Sequence, residues 1–416
     1  MSLTKFELNK IVHTPLIMIA FAALLIINIC SLLFGSQTGY KAIQSPFDTN
    51  IIEAKQNGSF FAGEINDEWY QSHKQEQKEF IDNPANHVSD NEKQRIQEEL
   101  IAEGFSEQEI NDMGNFIYLR KELISSNKYN RYEDIEVAIN FYQNATAYGK
   151  MMAYQYKNLY SGEKGEILAA KAEEMYGNLA TNFTAYYNYD LGYWKLRNIH
   201  SSYPFSIGLL VLIGLAPIFS AEYSRKTDAI LLSSKYGKKK LIFSKIKAGL
   251  IFAIAVWGLI EIINTLIIVG VYGITGAEAY WQNFVIDCAP FPFNQLQITL
   301  VTIATSLLGI VYFASVIMLI SVCSKNQFVS LLIGGVILLV PCLDFAFTDN
   351  SITQNIYNFM PTRILTSINE WQQFDLVYFF GNAVPIQYVI IITSLLISLV
   401  AIFLCYIIFK RKQVEN

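Results

Sequence analysis

Six stretches of the chain carry apolar residues almost without interruption. They run approximately Leu16–Phe34, Pro204–Ala221, Leu250–Ile274, Leu296–Val322, Phe328–Phe347 and Tyr388–Phe409, and the only charged residues inside them are Glu261 and Asp344. A helix needs about 20 mostly apolar residues to cross a hydrocarbon core about 30 Å thick, so each stretch predicts a membrane-spanning helix. The first, at 19 residues, exceeds the roughly 7 to 15 apolar residues of a secretory signal, and no Ala-x-Ala-like site follows Phe34; a permanent span is expected.

Residues 36–202 follow a different pattern, polar overall with helical periodicity, and are far too long for a loop. They predict a folded, helical domain. Ser89 with Glu92 and Ser106 with Glu109 fit capping boxes, Gly104 suits a left-handed helix end, and Phe105 and Ile110 are placed for a hydrophobic staple. Longer helices are expected from about Tyr132 to Tyr160 and from about Glu163 to His200, the last running into the second span. The expected fold is therefore an all-α integral membrane protein: a six-span transmembrane helix bundle with a large, mostly helical extracellular domain inserted between the first and second spans. It divides into residues 1–35 (N-terminal segment and first span), 36–202 (the inserted domain) and 203–416 (five further spans, with a cytoplasmic connection over 222–247).

Charge fixes the expected orientation, because Lys and Arg near span ends favour the cytoplasmic side. Lys5 and Lys10 precede the first span, eight basic residues from Arg225 to Lys247 fill the second connection, Lys325 sits between the fourth and fifth spans, and Lys410, Arg411 and Lys412 follow the last. These segments alternate, which places both termini in the cytoplasm. Composition agrees with a membrane protein: 16% of residues are charged, against roughly 25% in soluble domains. The net charge of −5 excludes a broadly basic nucleic-acid binder, so no nucleic-acid partner is expected. The inserted domain is acidic and rich in tyrosine: the charge reads as a solvated surface, with attraction of cationic ligands the alternative, and the tyrosines as core or membrane-interface residues, with a binding face the alternative.

Catalytic signatures are missing from the sequence. It contains no Gly-x-x-x-x-Gly-Lys-Ser/Thr phosphate loop, no His-Glu-x-x-His and no Gly-x-Ser-x-Gly, and the five scattered cysteines form no disulfide framework or metal pattern. The expectation is a non-enzyme with no cofactor of its own. Glu261 stands out instead, with Asn264 and Thr265 close to its helical face. A charge at mid-bilayer costs on the order of 3 kcal/mol or more, so these three residues are candidates to line a translocation path; the alternative is packing, with Glu261 hydrogen-bonded to Asn28, Thr302 or Thr305.

The connection after the second span reads Phe219-Ser220-Ala221-Glu222-Tyr223-Ser224-Arg225-Lys226-Thr227-Asp228-Ala229-Ile230-Leu231-Leu232, followed by a lysine-rich run to Lys247. An apolar knob ringed by charge suits a transient protein contact; lying against anionic headgroups of membrane lipids is the simpler alternative. With its first span, long external insertion and this connection, the chain resembles the type-2 permeases of ATP-binding-cassette exporters. That resemblance implies a bacterial cell-membrane protein whose coupling helix docks on a separate ATPase subunit, which would bind ATP and Mg, and a dimer with a second permease copy or paralogue. Carried over by position, Glu222, Thr227, Asp228, Leu231 and Leu232 would form the ATPase contact. Lys226 and Ser234 depart from the Gly and Pro frequent in that family. The implied function is export of a peptide antibiotic, drug, lipid-like molecule or sodium; a membrane sensor reporting a ligand or envelope stress to a cytoplasmic partner is the alternative.

Overall fold

The computed structural model describes residues 2–34, 55–56, 58–124, 126–202, 204–224, 239–282, 288–339, 359–365 and 371–411. Helix α1 (Leu3–Val12) starts at Ser2, whose hydroxyl accepts the Lys5 N–H at 3.3 Å. Pro15 lacks an N–H and disfavours helix in the residue before it, so α1 ends and α2 (Pro15–Phe34) leaves at a 62° bend. In the inserted domain, β1 (Gly63–Glu64) precedes α3 (Asp67–Asp82), α4 (Asp90–Ala102), α5 (Glu107–Asp112), α6 (Lys121–Ile124), α7 (Asn127–Gln143), α8 (Ala145–Leu159) and α9 (Glu163–Asn182). Strand β2 (Tyr186–Tyr187) then pairs antiparallel with β1, and α10 (Leu191–Ser202) follows.

The remainder is α11 (Pro204–Leu215), α12 (Pro217–Ser224), α13 (Lys239–Tyr272), α14 (Gln295–Cys323), α15 (Gln327–Leu339), α16 (Pro361–Leu365), the hairpin β3 (Leu376–Phe379) and β4 (Asn382–Pro385), and α17 (Ile386–Arg411). Among the described residues, four helical stretches are long and apolar enough to cross a membrane: 205–224, α13, α14 and α17; the bent pair α1–α2 makes a fifth when taken as one span. Helix α15 is apolar but shorter, and residues 340–347 of the window expected there lie outside the described residues.

The bundle packs around α14, which touches α11, α12, α13, α15 and α17. Its core joins Ile207, Val211, Leu215, Phe219, Ile242, Phe252, Phe313, Ile317 and Met318. The outward faces are equally apolar: Ile251, Ile262 and Leu266 of α13 and Leu396, Leu399 and Phe403 of α17 are exposed. A continuous exposed apolar band has no counterpart in a water-facing monomer; it gives this mostly helical chain its membrane-protein character. Pro217 breaks the second apolar stretch, and Ser321 of α14 bridges the break: its hydroxyl donates to Ala216 O at 2.7 Å and accepts from the N–H groups of Phe219 and Ser220 at 3.1 and 3.2 Å.

Several local expectations about the domain change in the structure. The Ser106–Glu109 box closes and Gly104 is left-handed at φ +103, but the Ser89 side chain makes no cap bond, so the first box does not form. The expected Tyr132–Tyr160 helix is two, α7 and α8, meeting at Asn144, and the expected Glu163–His200 helix is interrupted because β2 pairs with β1. Tyr156 and Tyr176 are buried, as a core role requires. That core also recruits Trp281, Cys288, Phe291, Trp371, Phe374 and Leu376 from the segments preceding α14 and α17. Tyr176 donates to Cys288 O at 2.8 Å, and the Tyr156 hydroxyl accepts the Leu376 N–H at 2.9 Å.

Candidate functional site

Two polar constellations interrupt the apolar bundle. The first gathers α1, the last turn of α12 and the second turn of α13. Lys245 is fully buried; its Nζ donates to Glu7 Oε2 at 3.0 Å and to Ile218 O at 2.9 Å, and lies 2.6 Å from Glu222 Oε1. Lys10 approaches the same Glu222 oxygen at 3.5 Å with a half-exposed side chain. The Phe219 ring centroid stands 5.8 Å from Lys245 Nζ. Two cations thus balance two carboxylates, and three of the four groups, Glu7, Glu222 and Lys245, are buried, where each ion needs its partner to offset desolvation. Glu7 and Ile11 are the buried residues of α1, one turn apart, so the same face that seats the helix also delivers the charge.

A cavity of about 460 Å³ opens beside this cluster. Glu7 and Lys10 stand at its polar side, and Ile11, Ile17, Ile213, Pro217, Phe328 and Leu331 make its apolar wall. It sits where the α1–α2 bend, the Pro217 break and the start of α15 converge. An apolar chamber with a charged rim suits the tail and head of an amphiphile.

The second constellation is a stripe along α13 at Trp257, Glu261 and Asn264, spaced four and three residues and therefore on one face. Each residue meets a different neighbour. Trp257 Nε1 donates to Ser306 Oγ of α14 at 3.1 Å; Glu261 Oε2 lies 3.4 Å from His200 Nε2 of α10; Asn264 Oδ1 accepts from Asn28 Nδ2 of α2 at 2.5 Å. His200 is fully buried, and its Nδ1 contacts Leu196 O at 2.8 Å. The Asn264 amide Nδ2 is buried without a hydrogen-bond partner among the described residues.

Of the residues expected to carry function, Glu222, Glu261 and Asn264 are buried and brought into these constellations, while Thr265 is half-buried beside the second. Thr227, Asp228, Leu231 and Leu232 lie outside the described residues. Of the packing partners named for Glu261, Asn28 donates to Asn264 Oδ1, and the hydroxyls of Thr302 and Thr305 donate to carbonyls of their own helix. Sequence reasoning missed Glu7 as a partner and read Lys10 and Lys245 only as orientation charges. It also missed His200, whose one sequence signal is a lone histidine at the end of a helix feeding a span.

Comparison with known proteins finds no family model and no curated protein that matches the chain. The functional reading therefore rests on the residues and the two constellations.

Proposed function

We propose that the chain is the permease subunit of a bacterial ATP-binding-cassette exporter, moving an amphipathic molecule out of the cell or membrane with energy from a separate ATPase subunit that binds ATP and Mg. In this reading six spans cross the cell membrane, both termini are cytoplasmic, residues 36–202 form the extracellular domain, and the permease works as a dimer with a second copy or paralogue. The observation that carries the proposal is the buried charge cluster. Glu222 lies three residues before residues 225–238 and is tied by Lys245 and Lys10 to α13 and α1. A push delivered to the connection by a partner would reach α1, α12 and α13 together through ionic contacts rather than being absorbed by a slack loop. The cavity against α1, α12 and α15 would change shape in the same movement, as a two-state coupling element requires.

The connection itself supplies the test. Wild type and a Leu231→Asp, Leu232→Asp variant are purified in mild detergent, and the ATPase activity that accompanies each is measured. Retention of an ATPase by wild type and its loss from the variant, at equal membrane level, supports the proposal; no associated ATPase with either overturns it. A sensor is the second reading, favoured by the aromatic core that joins the inserted domain to the segments preceding α14 and α17. It predicts signalling that persists when ATP turnover is blocked.

A further inference from the structure

The outer surface of α1 and α13 carries a feature that neither constellation uses. A groove of about 610 Å³ lies between the first turn of α1, at Ser2, Leu3 and Thr4, and the first turns of α13, at Lys239, Lys240, Phe243, Ser244 and Lys247. Lys240, Phe243, Ser244 and Lys247 follow the three-four spacing of a single helical face. Among the described residues, Lys239, Lys240 and Lys247 line the groove and no carboxylate does. The amide dipoles of the ten-residue α1 add positive potential at the same end. An anion is the chemical complement.

The rim and the continuation of the groove distinguish which anion. Leu3 and Phe243, which line it, are exposed, as is Phe6 three residues along α1, an arrangement of apolar and basic side chains that suits a headgroup boundary. Beyond Lys247 the same face of α13 continues as exposed Ile251, Ile254 and Ile262, with Gly258 between them, whose missing side chain would meet nothing within 4 Å. A lysine-lined groove thus opens onto an apolar furrow along a membrane-length helix. A soluble phosphate would use the groove alone; a lipid uses both.

We propose that this groove is a binding site for a glycerophospholipid with an anionic headgroup, its phosphate among Lys239, Lys240 and Lys247 and its acyl chains along Ile251, Gly258 and Ile262. The inference rests on the membrane and cytoplasmic placement of α1, but not on an ATPase partner or on transport, so the two readings fail separately.

Full-length protein is reconstituted in phosphatidylcholine vesicles containing trace spin-labelled phosphatidylglycerol or spin-labelled phosphatidylcholine, and the motionally restricted fraction of each is measured by electron spin resonance. Wild type should restrict phosphatidylglycerol preferentially. Lys247→Gln should lower that preference by roughly fivefold, as expected for one lysine at an anionic headgroup, and the Lys239→Gln, Lys240→Gln, Lys247→Gln variant should abolish it, while Lys→Arg at all three positions preserves it. Lys325→Gln, an equal charge change at another basic position, should leave it intact. An unchanged preference in the triple Gln variant overturns the proposal. So does an equal loss in Lys325→Gln, which would mean a general surface potential. Inorganic phosphate that displaces the label more than sodium chloride of equal ionic strength would mean a free-anion site and overturns the lipid assignment.

Discussion

Replacing Lys245 by Met tests the buried charge cluster most directly. Met fills most of the lysine stem's volume and removes only the ammonium, so packing against Phe219 is largely kept. What remains is Glu7 and Glu222, each 4% exposed, with the half-exposed Lys10 left to offset two carboxylates. Removing one partner of a buried ion pair costs about 3–5 kcal/mol, which is roughly two to three and a half decades in the folded ratio. The assay is reversible unfolding of detergent-solubilised protein by titration with sodium dodecyl sulfate, followed by tryptophan fluorescence. A second variant, Lys245→Met with Glu7→Gln and Glu222→Gln, removes the stranded charges and should recover most of the loss, because a neutral, shape-matched replacement of a buried pair is often nearly neutral in stability. A Lys245→Met protein within about 0.5 kcal/mol of wild type, or a triple variant no better than the single one, would refute the assignment of Glu7, Glu222 and Lys245 to one buried ionic unit.

Other expectations follow from the same geometry. A double-mutant cycle of Asn28→Leu and Asn264→Leu should give a coupling of about 0.6 kcal/mol and no more than about 1.7, the range for hydrogen bonds between membrane helices; additivity would sink the interhelical bond. Asp375, before α17, is raised above its ordinary 3.8 chiefly by burial, against the lowering effects of the Leu376 N–H and Tyr156. Its favourable contribution is therefore present below pH 3.8 and lost as pH rises through the raised value, so Asp375→Asn should gain thermal stability over wild type at pH 7 and little at pH 4. Gly276 holds φ +80 with its missing Cβ aimed at the Tyr189 carbonyl; Gly276→Ala should cost about 2 kcal/mol or more from backbone strain and overlap, read as a fall in melting temperature.

The long apolar helices were legible because crossing a hydrocarbon core demands long uninterrupted apolar runs, and α2, α13, α14 and α17 overlap the windows the sequence marks. Breaks within them were less legible. Pro217 is visible in the sequence, but the Ser321 hydroxyl that satisfies the broken backbone lies about a hundred residues away in the chain. A still longer separation, 238 residues, hid the charge cluster: Glu7 and Lys245 look like ordinary flanking charges until α1 packs along α13. Glu261 was legible as an anomaly, since an isolated acid in an apolar run calls for a partner, yet nothing in the local pattern names His200. In the inserted domain, helical periodicity gave the right element type and the wrong lengths, because β2 is fixed by pairing with Gly63 and Glu64 rather than by its own sequence.

The aromatic core shared by the inserted domain and the later segments sets the order in which the chain can mature. Phe141 to Leu179, Trp281 to Ile298 and Trp371 to Leu376 must meet to complete it, so the last contributors emerge from the ribosome nearly two hundred residues after the helices they cover. Pairing over such separations is entropically slow, and until it happens Tyr176 lacks both the Cys288 carbonyl and the Phe374 ring, 5.3 Å from it in the finished molecule. Residues 55–202 cut out and expressed alone would leave that apolar surface open and aggregate, whereas a fragment ending after β4 would carry every buried residue of the core and its hairpin. Placement of the long apolar helices between these segments is thus a precondition for this core to close.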